Sequence, residues 1–214
     1  MKATKNQTSR AFCHFLTVTN NRPARRLTGQ ASNRGEQMGT EEILELCTSL
    51  PCMGSGATKK CYFPVRGIAV CIAGDAPNKS LGNQLKQQAL LWERVARTDD
   101  SLFFNPVLRY QLHRGDKIRD VSTRFFAQSI LISQQCIVRR DDWEEATAEA
   151  VKLNGSRYLD GYGTNYTAAE YIDAVRGIAE KYGLWDVMHN RGNHGLLYDY
   201  SVSQYRPVII DYAL

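Results

Sequence analysis

Four cysteines in one short segment are the first side chains of this chain whose type and spacing allow chemistry. They are separated by four, eight and nine residues: Cys47, Cys52, Cys61 and Cys71. Four thiolates can hold a structural zinc ion in tetrahedral geometry. The segment contains no Cys-x-x-Cys pair, and a buried cysteine is also an ordinary core residue. Thiols without a metal are therefore the first interpretation, a zinc site at these four positions is the second, and a catalytic thiol is the third.

The segment 186–199 is the second candidate, because it holds two of the four histidines of the chain. Asp186, His189 and His194 follow one another at a spacing of Asp-x2-His-x4-His. Imidazole can act as a general base or as a metal ligand near neutral pH. The spacing matches no established metal motif, and such residues are also common in surface turns. A surface turn is the simpler interpretation, and these three residues are the catalytic candidates if the protein is an enzyme.

Two further patterns favour binding or solvation over catalysis. The loop 53–60 contains two glycines and two lysines but lacks the spacing of a P-loop, so it is expected to touch phosphates only non-specifically. Carboxylates cluster at 99–100, 116–120 and 141–145. Each cluster lies at a predicted helix end or turn, where acidic side chains serve as solvated caps.

Positive charge is concentrated in the first 40 residues. They contain seven Lys and Arg and one acid, a net charge of +6, whereas residues 41–214 contain 20 bases and 21 acids, a net charge of −1. Arginines spaced along polar sequence can follow a phosphate backbone and release its counterions. The expected nucleic-acid contacts are the five arginines of this segment: Arg10, Arg22, Arg25, Arg26 and Arg34. Protein assembly and simple solvation are the alternatives for this segment.

The composition predicts a basic, largely extended arm at 1–40 and a single α+β domain at 41–214. The arm is rich in Arg, Asn, Gln, Ser and Gly, so it cannot bury enough apolar area to order itself. Its one apolar island, at 11–18, can dock as a strand on the same chain or on another subunit.

Apolar periodicity and capping residues predict about five helices and a small mixed or antiparallel sheet. The expected helices are 41–49, 81–97, 117–135, 142–153 and 168–182. Strands are expected near 66–73, 196–200 and 207–212. Thr167 and Glu170 have the spacing of a capping box, and Gly155 and Gly183 are placed to end helices.

The remaining composition favours a binding protein. Most of the eleven tyrosines follow residue 157, which favours contact with a protein partner or self-association through the C-terminal third. No signal segment and no membrane-spanning run is recognisable, so a cytoplasmic location without membrane contact is expected. No cofactor is expected apart from a possible zinc ion.

The leading interpretation is a non-enzymatic nucleic-acid-binding or assembly protein that uses a basic arm on a neutral body. One alternative is a small hydrolase or nuclease, with or without a bound metal, that has its site in the 186–199 loop. A second alternative is a zinc-stabilised interaction module. No motif in the chain is specific enough to identify a reaction.

Overall fold

A computed structural model describes most of the chain after residue 38. The described residues are 14–16, 39–55, 59–74, 81–114, 127–138, 142–160, 164–184, 189 and 192–212. Within these ranges the chain forms α-helices and antiparallel sheets, which confirms the α+β class. The five arginines expected to bind nucleic acid lie outside these ranges, so the character of the arm stays a prediction. Asp186, one of the three catalytic candidates, also lies outside them.

Four α-helices and one short 3-10 helix occur in the described ranges. The α-helices are α1 (Thr40–Ser49), α2 (Leu81–Val95), α3 (Trp143–Asn154) and α4 (Ala168–Tyr182), and the 3-10 helix is Asp99–Phe103. All four α-helices lie where the periodicity predicts them. α1 begins at Thr40, one residue before the expected start at 41, and the Thr40 hydroxyl accepts a hydrogen bond from the Arg109 guanidinium.

Local hydrogen bonds set the ends of α3 and α4. The carboxylate of Asp142 caps α3 by accepting the backbone N–H of Glu145 at 2.8 Å. Thr167 and Glu170 form both hydrogen bonds of a capping box at the start of α4. Gly155 and Gly183 end the two helices in the left-handed conformation, with φ of 61° and 69°.

The largest sheet has six antiparallel strands in the order β1-β5-β6-β4-β3-β2. The strands are β1 (His14–Leu16), β2 (Gly54–Ser55), β3 (Lys59–Tyr62), β4 (Ile68–Gly74), β5 (Val107–Arg114) and β6 (Ala127–Gln134). Side chains of α1 pack on one face of this sheet, beside Ile130. Side chains of α2 pack on the other face, beside Leu131. Both faces of the central strands are therefore covered.

The helix predicted over 117–135 is wrong in its second half, where the chain forms β6. This strand pairs with β4 on one side and with β5 on the other. Ile130, Leu131 and Ile132 are consecutive and all buried, as expected for a strand inside a sheet that is covered on both faces. Pairing with two neighbouring strands outweighs the helical spacing of the apolar residues. Residues 117–126 lie outside the described ranges.

Strand β1 belongs to the apolar island and forms one edge of the six-stranded sheet. His14 lies opposite Leu112 of β5, and Leu16 lies opposite Tyr110. The island therefore contributes a strand to the sheet of its own chain in this structure. The other residues of the arm before Gly39 are outside the described ranges.

The second sheet has three antiparallel strands in the order β11-β10-β7, and a pair, β8 and β9, stands apart. The strands are β7 (Ile137–Val138), β8 (Leu159–Asp160), β9 (Asn165–Tyr166), β10 (His194–Asp199) and β11 (Gln204–Ile209). The sequence places Pro207 at the start of the last strand, but it lies inside β11 opposite Leu196. Its carbonyl accepts a hydrogen bond from the hydroxyl of Tyr171, which joins this sheet to α4.

Candidate functional site

Two of the four clustered cysteines face each other across neighbouring strands. Cys61 of β3 lies directly opposite Cys71 of β4. The carbonyl of Cys61 accepts the N–H of Met53, at 3.0 Å, on the side away from β4. The two cysteines therefore form a non-hydrogen-bonded pair, the arrangement in which Cα atoms are closest, about 4.5 Å apart. Their side chains lie on the same face of the sheet.

A lysine and an aspartate lie beside this pair of thiols. Lys59 is two residues before Cys61 and therefore shares its face of β3. Its ammonium forms an ion pair with Asp211, which follows β11, and the two side chains are 22% and 33% exposed. Burial alone lowers the pKa of Lys59, but Asp211 and the neighbouring thiols Cys71 and Cys61 raise it, and the net shift is upward. Lys59 therefore remains a cation next to both sulfur atoms.

Hydrogen bonds on either side of Asp211 fix its backbone. The side chain of Gln88 on α2 donates to the Ile210 carbonyl at 2.9 Å. On the other side, the hydroxyl of the fully buried Tyr212 donates to the Asn105 carbonyl at 2.8 Å. The position of the Asp211 carboxylate, and with it the Lys59 ion pair, is thus set by α2 and by the segment between the 3-10 helix and β5.

The two thiols have unequal acidity. A hydrogen bond from Cys71 lowers the pKa of Cys61, against the effect of burial, and the charge of Lys59 lowers it further. The same hydrogen bond, together with burial, raises the pKa of Cys71 well above its usual value. Cys61 is therefore the member of the pair that forms the thiolate, and Cys71 is the member that keeps its proton.

A third thiol, Cys136, lies near the pair but has a different character. Burial raises its pKa to about 12, and a smaller contribution comes from Cys61. Its sulfur lies against Gly195, where an added Cβ would come within 2.9 Å of Cys136 Sγ. A thiol that keeps its proton near neutral pH is a weak nucleophile, so Cys136 acts as a packed side chain.

The other two clustered cysteines do not join this pair. Cys47 on α1 is buried in the core that includes Tyr62, whereas Cys71 packs against the core on the opposite face of the sheet. Cys52 is exposed, and its Sγ lies 3.7 Å from the Cys61 carbonyl oxygen. No three His, Cys, Asp or Glu side chains among the described residues are grouped so that they could hold a metal ion. The four-cysteine zinc site stays a prediction that this geometry does not support.

The two histidines of the 186–199 loop have different surroundings. His194 is the first residue of β10, is only 2% exposed, and its ring centroid lies 4.7 Å from that of Trp143. His189 is exposed, and Asp186 lies outside the described ranges. A buried ring that packs against tryptophan, with an angle of 31° between the two ring planes, fits a core position. The hydrolase hypothesis for these three residues stays a prediction, without support from the placement of His194.

Sequence reasoning missed the ion pairs that join separate segments, among them Lys181–Asp100, Arg176–Glu144 and the two described next. Lys59 and Asp211 are 152 positions apart, and no local pattern connects them. Asp199 and Arg206 pair across the β10–β11 turn at 3.2 Å, and each side chain is only 6% exposed. For the second pair, the sequence did contain a signal: an acid and a base lie on either side of the expected connection between the last two strands. The first pair had no such signal.

The described helices differ in charge. From their sequences, α1 carries a net charge of −3, α3 of −2 and α4 of −1, whereas α2 carries +1. The exposed side chains of Lys86, Leu90 and Arg94 are four residues apart and form one stripe along α2, and Arg97 follows its end. The described part of the body therefore presents one basic helix surface.

Comparisons of the chain with protein families, curated proteins and solved structures find no match. In the part of the chain that the structure describes, no helix has the length and apolar character needed to cross a bilayer. Function must therefore be inferred from the residues and contacts of this chain.

Proposed function

We propose that this protein binds nucleic acid through its basic arm and serves binding or assembly, not catalysis. The observation that carries this proposal is the separation of charge, with +6 in residues 1–40 and −1 in the remaining 174 residues. Such a segment attracts a polyanion by counterion release without needing a shaped pocket. A neutral body leaves the arm as the main electrostatic contact.

The way the arm is attached supports this proposal. Strand β1 pairs with β5, and α1 begins at Thr40, so residues 17–38 connect two elements of the folded body. Four of the five arginines lie in this connection: Arg22, Arg25, Arg26 and Arg34. Fixing both ends of a segment lowers the conformational entropy that the segment loses on binding.

The basic stripe of α2 offers a second set of phosphate contacts. Lys86, Arg94 and Arg97 are exposed, and none of them forms an ion pair within the described ranges. By contrast, exposed Arg176 on α4 is paired with Glu144 at 3.0 Å and with Asp173 at 3.1 Å. Unpaired cations bind phosphate without first breaking an existing ion pair.

The direct test measures oligonucleotide affinity against salt for the full chain and for a variant with its five arm arginines replaced by glutamine. Deleting the arm is a poorer test, because it also removes β1 from the sheet. Each lost phosphate contact makes the slope of log K against log salt shallower by about 0.7–0.9. We expect a large loss of affinity and a shallower slope. Equal affinity and slope in both proteins would contradict the proposal.

A matched pair of variants tests the contribution of α2. The double substitution of Lys86 and Arg94 by alanine is expected to reduce the salt slope by about 1–2. The control replaces Lys152 and Arg157 by alanine. Both side chains are exposed; Lys152 lies in the acidic helix α3 and Arg157 follows its end. Both variants remove two positive charges, so an equal loss of affinity would indicate a general charge effect and contradict a specific role for α2.

Burial decides which tyrosines of the C-terminal third are able to contact a protein partner. Tyr171 and Tyr212 are fully buried, whereas Tyr158 and Tyr200 are among the exposed large side chains. We include self-association through Tyr158 and Tyr200 in the proposal. Light scattering of the full chain is expected to show an oligomer. Tyr158→Ser and Tyr200→Ser should each weaken this oligomer. A protein that stays monomeric at all concentrations, both alone and with bound oligonucleotide, would rule out self-association.

A further inference from the structure

We propose that Cys61 and Cys71 form a redox-active dithiol, which a low-molecular-weight disulfide such as oxidised glutathione converts into a disulfide between β3 and β4. This inference is independent of nucleic-acid binding. It assigns a modification site to the face of the sheet that carries Lys59.

The backbone already provides the geometry of such a disulfide. Cys61 and Cys71 are directly opposite in the register of β3 and β4, and their backbones do not exchange hydrogen bonds with each other. Residues in this arrangement have Cα atoms about 4.5 Å apart, inside the range of about 4.4–6.8 Å found for disulfides. Closure therefore needs rotation of two side chains and no separation of the strands.

The surroundings make the two thiols unequal, as a two-step exchange requires. Lys59 places a positive charge beside the pair, and Asp211 keeps that lysine protonated. Cys71 donates its proton in a hydrogen bond to Cys61, which favours the thiolate at Cys61. Cys61 and Cys71 are both partly exposed, so a small oxidant has access to the pair. Cys61 is therefore the attacking thiol and Cys71 the resolving thiol.

The exchange balances in two steps. The Cys61 thiolate attacks one sulfur of oxidised glutathione, its S–S bond breaks, and one glutathione leaves and takes up a proton. The hydrogen bond to Cys61 and the charge of its thiolate, which both raise the Cys71 pKa, are then lost, whereas Lys59, whose charge lowers that pKa, stays in place. Cys71 gives its proton to solvent and attacks the Cys61 sulfur, and the second glutathione leaves. Two electrons pass from the two cysteines to the oxidant, which yields one protein disulfide and two glutathione thiols.

The first experiment exposes the full chain to oxidised glutathione, blocks the remaining thiols with a maleimide and identifies linked peptides by mass spectrometry. We expect a Cys61–Cys71 disulfide in the wild type. The Cys71→Ser variant should stop at a stable glutathione adduct on Cys61, because the resolving thiol is missing. The Cys61→Ser variant should form no adduct at Cys71. Cys52→Ser is the control and should still form the Cys61–Cys71 disulfide.

Three results would overturn the proposal: a folded wild type that forms no disulfide between these residues, a disulfide between Cys52 and Cys61 in its place, or faster reaction at Cys71 than at Cys61. Folding of each variant is checked by circular dichroism. The wild-type result decides the matter even if a serine variant does not fold.

A second measurement tests the role of Lys59 as a positioning residue. Lys59→Met should slow the reaction of Cys61 with oxidised glutathione by about threefold for each unit by which the Cys61 pKa rises, since fewer thiolates form but each is more nucleophilic. Lys59→Arg should restore the rate, because it keeps the charge. Lys60→Met is the control, because alternation places Lys60 on the other face of β3. Equal rates for Lys59→Met and the wild type would remove Lys59 from the proposal.

Discussion

Lys59 of β3 and Asp211 beyond β11 form an ion pair between residues that are 152 positions apart. This contact ties the C-terminal segment to the six-stranded sheet. The next residue, Tyr212, is buried and its hydroxyl binds the Asn105 carbonyl at 2.8 Å. The last residues described are therefore part of the folded core, and their contacts position the charge beside the thiols of Cys61 and Cys71.

The first prediction concerns this ion pair. Asp211→Asn is expected to lower the free energy of unfolding by about 1–2 kcal/mol, between the values typical of exposed and buried pairs, because the Lys59 charge loses its partner in a partly buried place. Denaturant unfolding at neutral pH measures the effect. Lys152→Met on the surface of α3 is the control and should change stability by less than about 0.5 kcal/mol. An unchanged midpoint for Asp211→Asn contradicts this view.

The second prediction concerns the glycine that contacts Cys136. A Cβ at position 195 would lie 2.9 Å from both Cys136 Sγ and the Ile137 carbonyl oxygen. Gly195→Ala should therefore destabilise the fold by about 1–3 kcal/mol. Adding Cys136→Ala should recover part of the loss, because it removes one of the two clashes.

A matched glycine provides the control for that experiment. Gly177 lies inside α4, and an added Cβ there would meet nothing within 4 Å. Gly177→Ala should raise the free energy of unfolding by about 0.5–1 kcal/mol, because alanine favours a helix interior. Thermal or denaturant unfolding of both variants should show shifts of opposite sign, and shifts of the same sign would be inconsistent with the packing at Gly195.

The third prediction separates a structural histidine from a catalytic one. His194 is buried against Trp143, so His194→Ala should lower the free energy of unfolding by about 2–4 kcal/mol. His189 is exposed, and His189→Ala should leave stability within about 0.5 kcal/mol. Unfolding curves test both. A hydrolase activity that disappears in both variants, with stability unchanged, would favour the enzyme hypothesis for the 186–199 loop.

The fourth prediction is a pH dependence at Asp100. Burial favours its neutral form, but hydrogen bonds from Lys181 and from Tyr182, the latter at 2.6 Å, lower its pKa overall. The pKa of Asp100 in the folded state is below its unfolded value of about 3.9. The Asp100 carboxylate therefore contributes fully to stability above about pH 3.9, and this contribution disappears as the pH falls through the folded-state pKa.

Comparison of the wild type with Asp100→Asn tests the direction of this pH dependence. At neutral pH the variant should be less stable than the wild type by up to about 1 kcal/mol, because Lys181 is largely exposed and the pair is screened. The difference should shrink as the solution is acidified. Asp99→Asn, at the exposed neighbouring position, is the control. A difference that grows toward acid pH would show that the carboxylate is not stabilised in the folded state.

The fifth prediction concerns metal removal. Cys47 and Cys71 lie on opposite faces of the six-stranded sheet, so they cannot ligate one zinc ion without unfolding of that region. A strong chelator is therefore expected to leave the melting temperature unchanged. Metal analysis of the purified protein is the accompanying check. A lowered melting temperature, restored by added zinc, would revive the zinc-stabilised module.

Features that depend on neighbours within a few residues were predictable from the sequence alone. The capping box of Thr167 and Glu170 and the left-handed Gly183 fix both ends of α4 through hydrogen bonds that span three or four positions. The same reasoning locates α2 and α3 to within two residues at each described end. The α+β class follows from these helices together with the strands predicted near both ends of the body.

Contacts between distant segments were decided only by the tertiary structure. Ile130 to Ile132 form a strand because β4 and β5 pair with both of its edges, which no local pattern reveals. Cys61 meets Cys71 and not Cys47 because strand register and the alternation of faces, not nearness in sequence, decide which side chains converge. The sequence determined which segments could form helices, and long-range strand pairing and packing decided which thiols, charges and rings came together.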